Sequence, residues 1–539
     1  MLAFGIEFAL AALLLGFAFT WRRVEPLVRR LSSRTVWCMV LLAILPVALR
    51  LALLFHHPAP RPDVYDEFSH LLVAGTLRHF RLANPPLPMP QFFETFFVVQ
   101  EPAYASIYPI GQGLVLAMGG ALFGHPWAGV ILATAAFCGL CCWMLRGWVT
   151  PMWALAGGVL AVVEFGPLCA WMNTYWGGAL GAAAGCLVFG ALPRLRASRR
   201  TRDAVLLGAG LGVHVLTRPY ESVYLAIAAV LFFLPRPWRF WRAGAIAAAV
   251  ALPALGITAL QNKQVTGSWI TLPYTLSQYQ YGVPASLIIQ ANVEPHRELT
   301  PQQALDYRMQ RAFHGEGGET LASFFGRLEY RVRFYRFFFL APLYLALPAF
   351  LASLRQWRYV WVAGTLALFA LGVNLFPAFQ VHYVAACTCL FVLVGVVGLE
   401  QLCRLKAGRE AAWIIVLLCG GQFLFWYGVH IADTADAPSP ATQYETWQTL
   451  DHGNVRRMAV DRALAQASGR QVVFVRYSPR HIFQEEWVWN EADPGSARVI
   501  WARDLGMDED RRLLALYPGR TAWLLEPDIE PVRLAPFLR

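Results

Sequence analysis

The chain has 539 residues, 57% of them hydrophobic and only 15% charged, with a mean hydropathy of +0.44. Soluble domains carry about 25% charged residues, so this composition excludes an ordinary water-soluble protein and describes a polytopic membrane protein. The net charge of +11 is not a nucleic-acid footprint, because the arginines fall in short clusters between apolar runs and read as topology signals.

A membrane-spanning helix takes about 20 mainly apolar residues. By that rule the chain offers twelve spans: 5–21, 36–55, 126–146, 150–168, 176–193, 203–217, 219–234, 243–261, 336–354, 359–376, 382–399 and 412–431. The first lacks the basic leader of a signal peptide and has Arg22 and Arg23 behind it. It reads as a retained helix entered from outside. Five basic loops then face inward: 22–34, 194–202, 236–242, 355–358 and 404–409. The apolar stretch 109–124, "PIGQGLVLAMGGALFG", would invert every later basic loop if it crossed. It is therefore predicted to be a short re-entrant or surface helix.

This threading gives an all-α membrane protein in three parts: an extra N-terminal helix and inner loop (1–35), a main helical domain (36–431), and an outward C-terminal segment (432–539). The main domain carries two large outward loops, 56–125 and 262–335. Shorter outward turns hold "WMNTYWGG" (171–178), "LTRPYES" (216–222) and "FPAFQVHY" (376–383). All ten cysteines lie in or beside apolar stretches. They read as small buried hydrophobes, with neither a disulfide framework nor a metal site. The C-terminal segment changes character, with a helix over 440–467, strands at 470–478, 497–505 and 521–528, and a helix between the last two. That alternation predicts a small α/β unit, without a phosphate loop or nucleophile motif.

Candidate chemistry gathers on the outward side. Asp66 and Glu67, in "YDEFSHLL" (65–72), begin a helix shortly after the second span. Capping is one role, since carboxylates are favoured at helix N-termini. Adjacent helical residues point about 100° apart, so the two cannot serve the same ligand atom. One is free to act as a base while the other anchors the loop, and desolvation near an apolar boundary raises carboxylate basicity.

The layout resembles the GT-C superfamily of membrane glycosyltransferases, including protein O-mannosyltransferases, the aminoarabinose transferases acting on lipid A, and related "family 39" proteins. The resemblance is carried by "YDEFSHLL" after a span, by "YASIYPIGQGLVLAMGGALFG" (104–124), and by "LTRPYES" after the sixth span, over residues 36–400. It implies an inverting transfer of a sugar from a polyprenyl-phosphate donor to a lipid, glycan or protein acceptor at the outer face of the cytoplasmic membrane. Asp66 then matches the acceptor-side base and Glu67 its neighbour. For the donor phosphate, Arg218 is a candidate if it is not simply paired with Glu221. His382 and Tyr383 are candidates for phosphate or sugar hydroxyls, or are ordinary interfacial residues. Lys263 either meets phosphate or snorkels. Tyr175 or Trp176 would form a sugar platform or an interfacial anchor. No cofactor is marked with certainty, and a divalent cation is left open, because relatives differ and no other acidic cluster completes an obvious oxygen set. Two other readings are a lipid-linked glycan flippase, for which the spans offer few midplane ionisable residues beyond Arg50, Glu164 and His214, and a glycan polymerase or ligase with large outer loops.

Overall fold

The computed structural model describes residues 2–234, 237–315, 319–432 and 455–537. The first helix, α1 (Leu2–Ser33), continues through Arg22 and Arg23, so those arginines lie on a helix and not in the predicted loop. Then follow α2 (Thr35–Ala52), α3 (Tyr65–Arg78), α4 (Ile110–Phe123), α5 (Trp127–Leu145), α6 (Pro151–Phe165), α7 (Ala170–Asn173), α8 (Ala179–Ser198), α9 (Thr201–Thr217), α10 (Pro219–Phe233) and α11 (Trp241–Thr266). The second large loop holds α12 (Pro273–Tyr281), α13 (Pro301–His314) and α14 (Leu321–Val332), and the bundle closes with α15 (Leu347–Phe350), α16 (Trp357–Val373), α17 (Thr388–Leu402) and α18 (Gly408–Ile431).

Sequence fixes many of these ends. Pro151, Pro219, Pro273 and Pro301 stand in first turns, where the missing N–H costs nothing. Gly124, Gly267 and Gly282 end α4, α11 and α12 in the left-handed conformation. Six described helices are long and apolar enough to cross a membrane, and Ile110–Phe123, Pro151–Phe165, Pro219–Phe233 and Trp357–Val373 are shorter apolar ones. At 14 residues, α4 is about 21 Å long, short of the roughly 30 Å hydrocarbon core. It packs closely on its neighbours: a Cβ on Gly113 would stand 2.2 Å from the Val73 side chain of α3, and one on Gly129 2.0 Å from Val115 O.

The predicted span 336–354 is not one α-helix. It is a chain of short 3₁₀ turns around α15, because Pro342 and Pro348 break the hydrogen-bond ladder. Its Ala346 O lies so near α17 that a Cβ on Gly398 would approach to 2.4 Å. The main core joins Phe137, Phe165, Phe189, Phe232, Trp361 and Leu390. At one end of the bundle arginines tie helices together: Arg194 Nη2 donates to Trp143 O at 2.6 Å and Arg358 Nη1 to Trp148 O at 3.1 Å. The large loops lie at the other end. All ten cysteines are free, and all but the half-buried Cys403 are buried.

In the first large loop, β1 (Val98–Val99) and β2 (Ala105–Ser106) form an antiparallel pair. The C-terminal unit comprises α19 (Val455–Gln466), β3 (Gln471–Val475), β4 (Val499–Arg503), α20 (Met507–Leu516), β5 (Thr521–Glu526) and β6 (Arg533–Pro536). The earlier part of the helix predicted over 440–467 lies outside the described residues. The sheet order is β4-β3-β5-β6, parallel except for β6. Its strands alternate between two covered faces. Val473, Val475 and Leu525 meet α19 on one face. Val472, Phe474 and Ile500 meet Leu513 of α20 on the other, together with Phe92 and Phe93 from the first large loop. That loop therefore supplies part of the α/β core.

Candidate active site

The start of the first large loop is fixed by Arg50, buried at the end of α2. Its Nε donates to Asn173 Oδ1 at 2.6 Å, and its Nη atoms donate to His57 O and Pro58 O, each at 2.9 Å. Eight residues on from Pro58, α3 presents Asp66 and Glu67 in different directions, as the helical angle requires. Glu67 faces backbone. Its Oε2 accepts from Asp63 N at 2.9 Å and Val64 N at 3.3 Å, and its Oε1 accepts from Tyr175 N at 2.8 Å. Glu67 thus caps α3 and ties it to the 174–178 turn, while burial pushes its pKa up to about 7.

Asp66 faces side chains. Tyr108 donates its hydroxyl to Asp66 Oδ1, and the Trp176 indole N–H also reaches this carboxylate. Crowding by surrounding atoms raises the pKa to about 6, and the two donors and the Arg218 charge pull against that rise. The turn that presents Trp176 ends in Gly177 (φ +96°) and Gly178 (φ +118°), a backbone suited to glycine. A side chain on Gly178 would also strike the Trp171 ring, 2.4 Å from the ideal Cβ.

Arg218 stands at the break between α9 and α10, where Pro219 starts a new helix. Its guanidinium lies 4.9 Å from the centre of the Tyr383 ring and 3.8 Å from Glu221 Oε1. Among the described residues its side chain makes no hydrogen bond, so the pairing with Glu221 leaves its N–H groups unspent. His382 is buried 5.8 Å from the Trp176 ring, and Tyr383 follows in the same short turn. Tyr65, Asp66, Tyr108, Trp176, Arg218, Tyr274 and Tyr383 each keep part of their surface exposed, so the cluster is not sealed.

Asp66, Arg218, His382 and Tyr383, taken from three segments of sequence, therefore meet. Lys263 does not join them by any described contact. It is exposed, and its Nζ donates to Gly267 O of its own helix end at 2.6 Å. Sequence reasoning missed four neighbours. His70 stacks on Tyr108 at 4.3 Å and 23°. Tyr274 carries a buried hydroxyl without a partner. Asp306, buried on α13, accepts from Gln310 Nε2 at 2.8 Å through Oδ2, while its Oδ1 has no donor. Burial and the Asp66 charge push Asp306 up to about 7. The spacing of Asp66 and His70, one helical turn apart, carried a signal for His70, and "YASIYP" contained Tyr108. Nothing in sequence marked Asp306.

Among the described residues no three His, Cys, Asp or Glu side chains are grouped to hold a metal ion.

No protein-family model matches the chain, and no curated protein matches it in sequence. Similar solved structures exist. ArnT from Cupriavidus metallidurans in the apo state superposes with a TM-score of 0.49 at 11% identity, over 92% of this chain and 93% of that one. The same protein bound to undecaprenyl phosphate gives 0.49 at 12%, over 89% and 92%. The apo oligosaccharyltransferase of Archaeoglobus fulgidus gives 0.36 at 13%, over 81% and 58%.

Proposed function

We propose that the protein transfers a sugar from a polyprenyl-phosphate carrier to an acceptor hydroxyl at the outer face of the cytoplasmic membrane. The observation that carries this reading is the meeting of Asp66, a carboxylate with raised basicity, and Arg218, a guanidinium without hydrogen-bond acceptors, in one open cluster. In this mechanism the acceptor oxygen attacks the anomeric carbon and Asp66 takes its proton. The carbon–oxygen bond to phosphate breaks with its electron pair on the phosphate. Arg218 and His382 stabilise that charge, which grows as the bond breaks. Attack opposite the leaving group inverts the anomeric carbon. Glu67 is a positioning residue that holds the helix of Asp66 through three backbone N–H groups. Tyr383 and Trp176 border the sugar. In this reading the arginine-rich end of the bundle faces the cytoplasm, as basic loops tend to, and the site and the α/β unit face outward.

Mass spectrometry of cell-envelope glycans tests this reading. A deletion strain should lack one sugar and accumulate a polyprenyl-phosphate sugar, with wild type restoring the glycan and Asp66→Asn failing to, at equal membrane abundance. Loss of chain length without loss of a sugar would mark a polymerase, and an intact glycan held inside would mark a flippase.

A further inference from the structure

Three imidazoles feel the Arg218 charge: His70 on α3, His214 on α9 and His382 after α16. They are not equivalent. His214 Nδ1 lies 2.7 Å from Ser222 Oγ, so that ring is partnered. His70 and His382 are also buried, at 6% and 7% exposure. Neither ring makes a hydrogen bond among the described residues, and His70 Nδ1 is fully enclosed without a partner. A buried polar group without a partner costs about 1–3 kcal/mol, so a fold that keeps one calls for an explanation.

The His70 ring is not loose. It stacks on Tyr108 at 4.3 Å, and Tyr108 spends its hydroxyl on Asp66. The stacking fixes the plane of the imidazole and hence the directions of its two nitrogens. His70 also lies one helical turn beyond Asp66, so α3 presents both on one face. Around this point, Arg218, His382 and His70 supply a guanidinium and two imidazoles whose side chains make no hydrogen bond among the described residues, Arg218 keeping only its 3.8 Å ion pair with Glu221. Crowding and the Arg218 charge keep the His70 ring neutral, with its pKa pushed down to about 3. A neutral imidazole still has one N–H to give, and the tautomer adjusts to the acceptor it meets. The complementary ligand is an anion with several acceptor oxygens, a phosphomonoester or phosphodiester.

We propose that His70 is a third phosphate-binding residue of this site, donating an imidazole N–H to the carrier phosphate beside Arg218 and His382. This inference rests on the glycosyl-transfer reading and adds a geometric consequence. The base and one phosphate donor ride on the same helix, so the acceptor and leaving-group sides of the reaction are fixed relative to each other by α3.

The test uses full-length protein in lipid nanodiscs, with farnesyl phosphate, farnesol and inorganic phosphate as probes. Wild type should bind farnesyl phosphate more tightly than farnesol, and more tightly than inorganic phosphate. His70→Phe keeps the stacking on Tyr108 but removes both nitrogens. It should weaken farnesyl phosphate about tenfold, the value of one charge-assisted hydrogen bond, and leave farnesol unchanged. Arg218→Leu should remove most of the preference for phosphate. If Arg218→Leu removes the preference and His70→Phe does not, the assignment of His70 fails alone. If wild type shows no preference for farnesyl phosphate over farnesol, the carrier reading fails as well. Equal weakening of farnesyl phosphate and farnesol in His70→Phe would mean a packing role and would overturn the proposal.

Discussion

Two places in this molecule use nearly the same parts. Near Asp66 a tyrosine hydroxyl meets a carboxylate, a histidine stacks on that tyrosine at 4.3 Å, and an arginine stands by. In the C-terminal unit Tyr477 donates to Glu486 Oε1 at 3.0 Å, His481 lies 4.1 Å over the Tyr477 ring, and Arg503 sits 5.1 Å from the same ring. The second set is saturated. The Tyr477 hydroxyl also accepts from Trp487 N and Val488 N, at 3.1 and 3.2 Å. Both His481 nitrogens are engaged, with Asp528 Oδ1 at 2.7 Å and Glu485 O at 3.0 Å. The first set leaves the His70 and His382 rings and the Arg218 guanidinium without a hydrogen bond among the described residues, Arg218 having only a 3.8 Å ion pair with Glu221. Residue types alone therefore do not separate a site from a structural knot. Unspent hydrogen-bonding capacity does.

The contrast can be broken or sharpened by substitution. At Asp66, Asp66→Asn keeps the shape and removes the base, and transfer should fall about 10³-fold with the protein still inserted. Arg218→Leu should cost about 10²-fold in kcat/KM, the usual loss for one preorganised donor to developing charge. The pH profile gives a smaller effect with a definite sign. A base must be ionised to act, and Asp66 is raised to about 6, so activity should fall about tenfold from pH 7 to pH 5. An unshifted carboxylate, near 3.9, would keep almost full activity at pH 5. Tyr108→Phe removes a donor that lowers the Asp66 pKa, so the acid limb should move to higher pH. Tyr477→Phe leaves the Trp487 N–H without its acceptor and takes a donor from Glu486 Oε1, while Val488 N keeps Glu486 Oε1 at 2.8 Å. It should destabilise the fold by about 1–3 kcal/mol, while kcat/KM per folded molecule stays within about twofold. If Tyr477→Phe lost activity as Asp66→Asn does, with stability intact, the contrast between the two regions would be wrong.

The sequence was most legible where one strong physical constraint acts. Apolar length marked the helices, including the 14-residue α4 within 109–124. Alternation marked three strands of the α/β unit. It missed β6, where a four-residue edge strand ends on Pro536. It also missed the breakage of 336–354, where hydropathy outweighed two prolines. In the cluster, the layout of the chain and its family resemblance pointed to Asp66, and outward placement at span ends pointed to Arg218 and His382. Lys263, read as meeting phosphate or as snorkelling, donates its ammonium to its own helix end. Asp306 was invisible because its burial depends on contacts far away in sequence. Arg503 of β4 reaches Gln302, one turn before Asp306 on α13. Likewise Trp489 Nε1 donates to Phe68 O at 2.8 Å, next to the Asp66–Glu67 pair. The C-terminal unit thus grips both large loops, a relation that no local pattern encodes.

The most direct test is a transfer assay with purified protein in nanodiscs, supplied with the donor lipid that accumulates in the deletion strain and with that strain's envelope fraction lacking the sugar as acceptor. Release of free polyprenyl phosphate is measured for wild type and Asp66→Asn at equal occupancy. The expected result is release by wild type and a rate about 10³-fold lower for Asp66→Asn, with farnesyl phosphate binding preserved in both. Release by Asp66→Asn at the wild-type rate would contradict the assignment of the base and the account built on it.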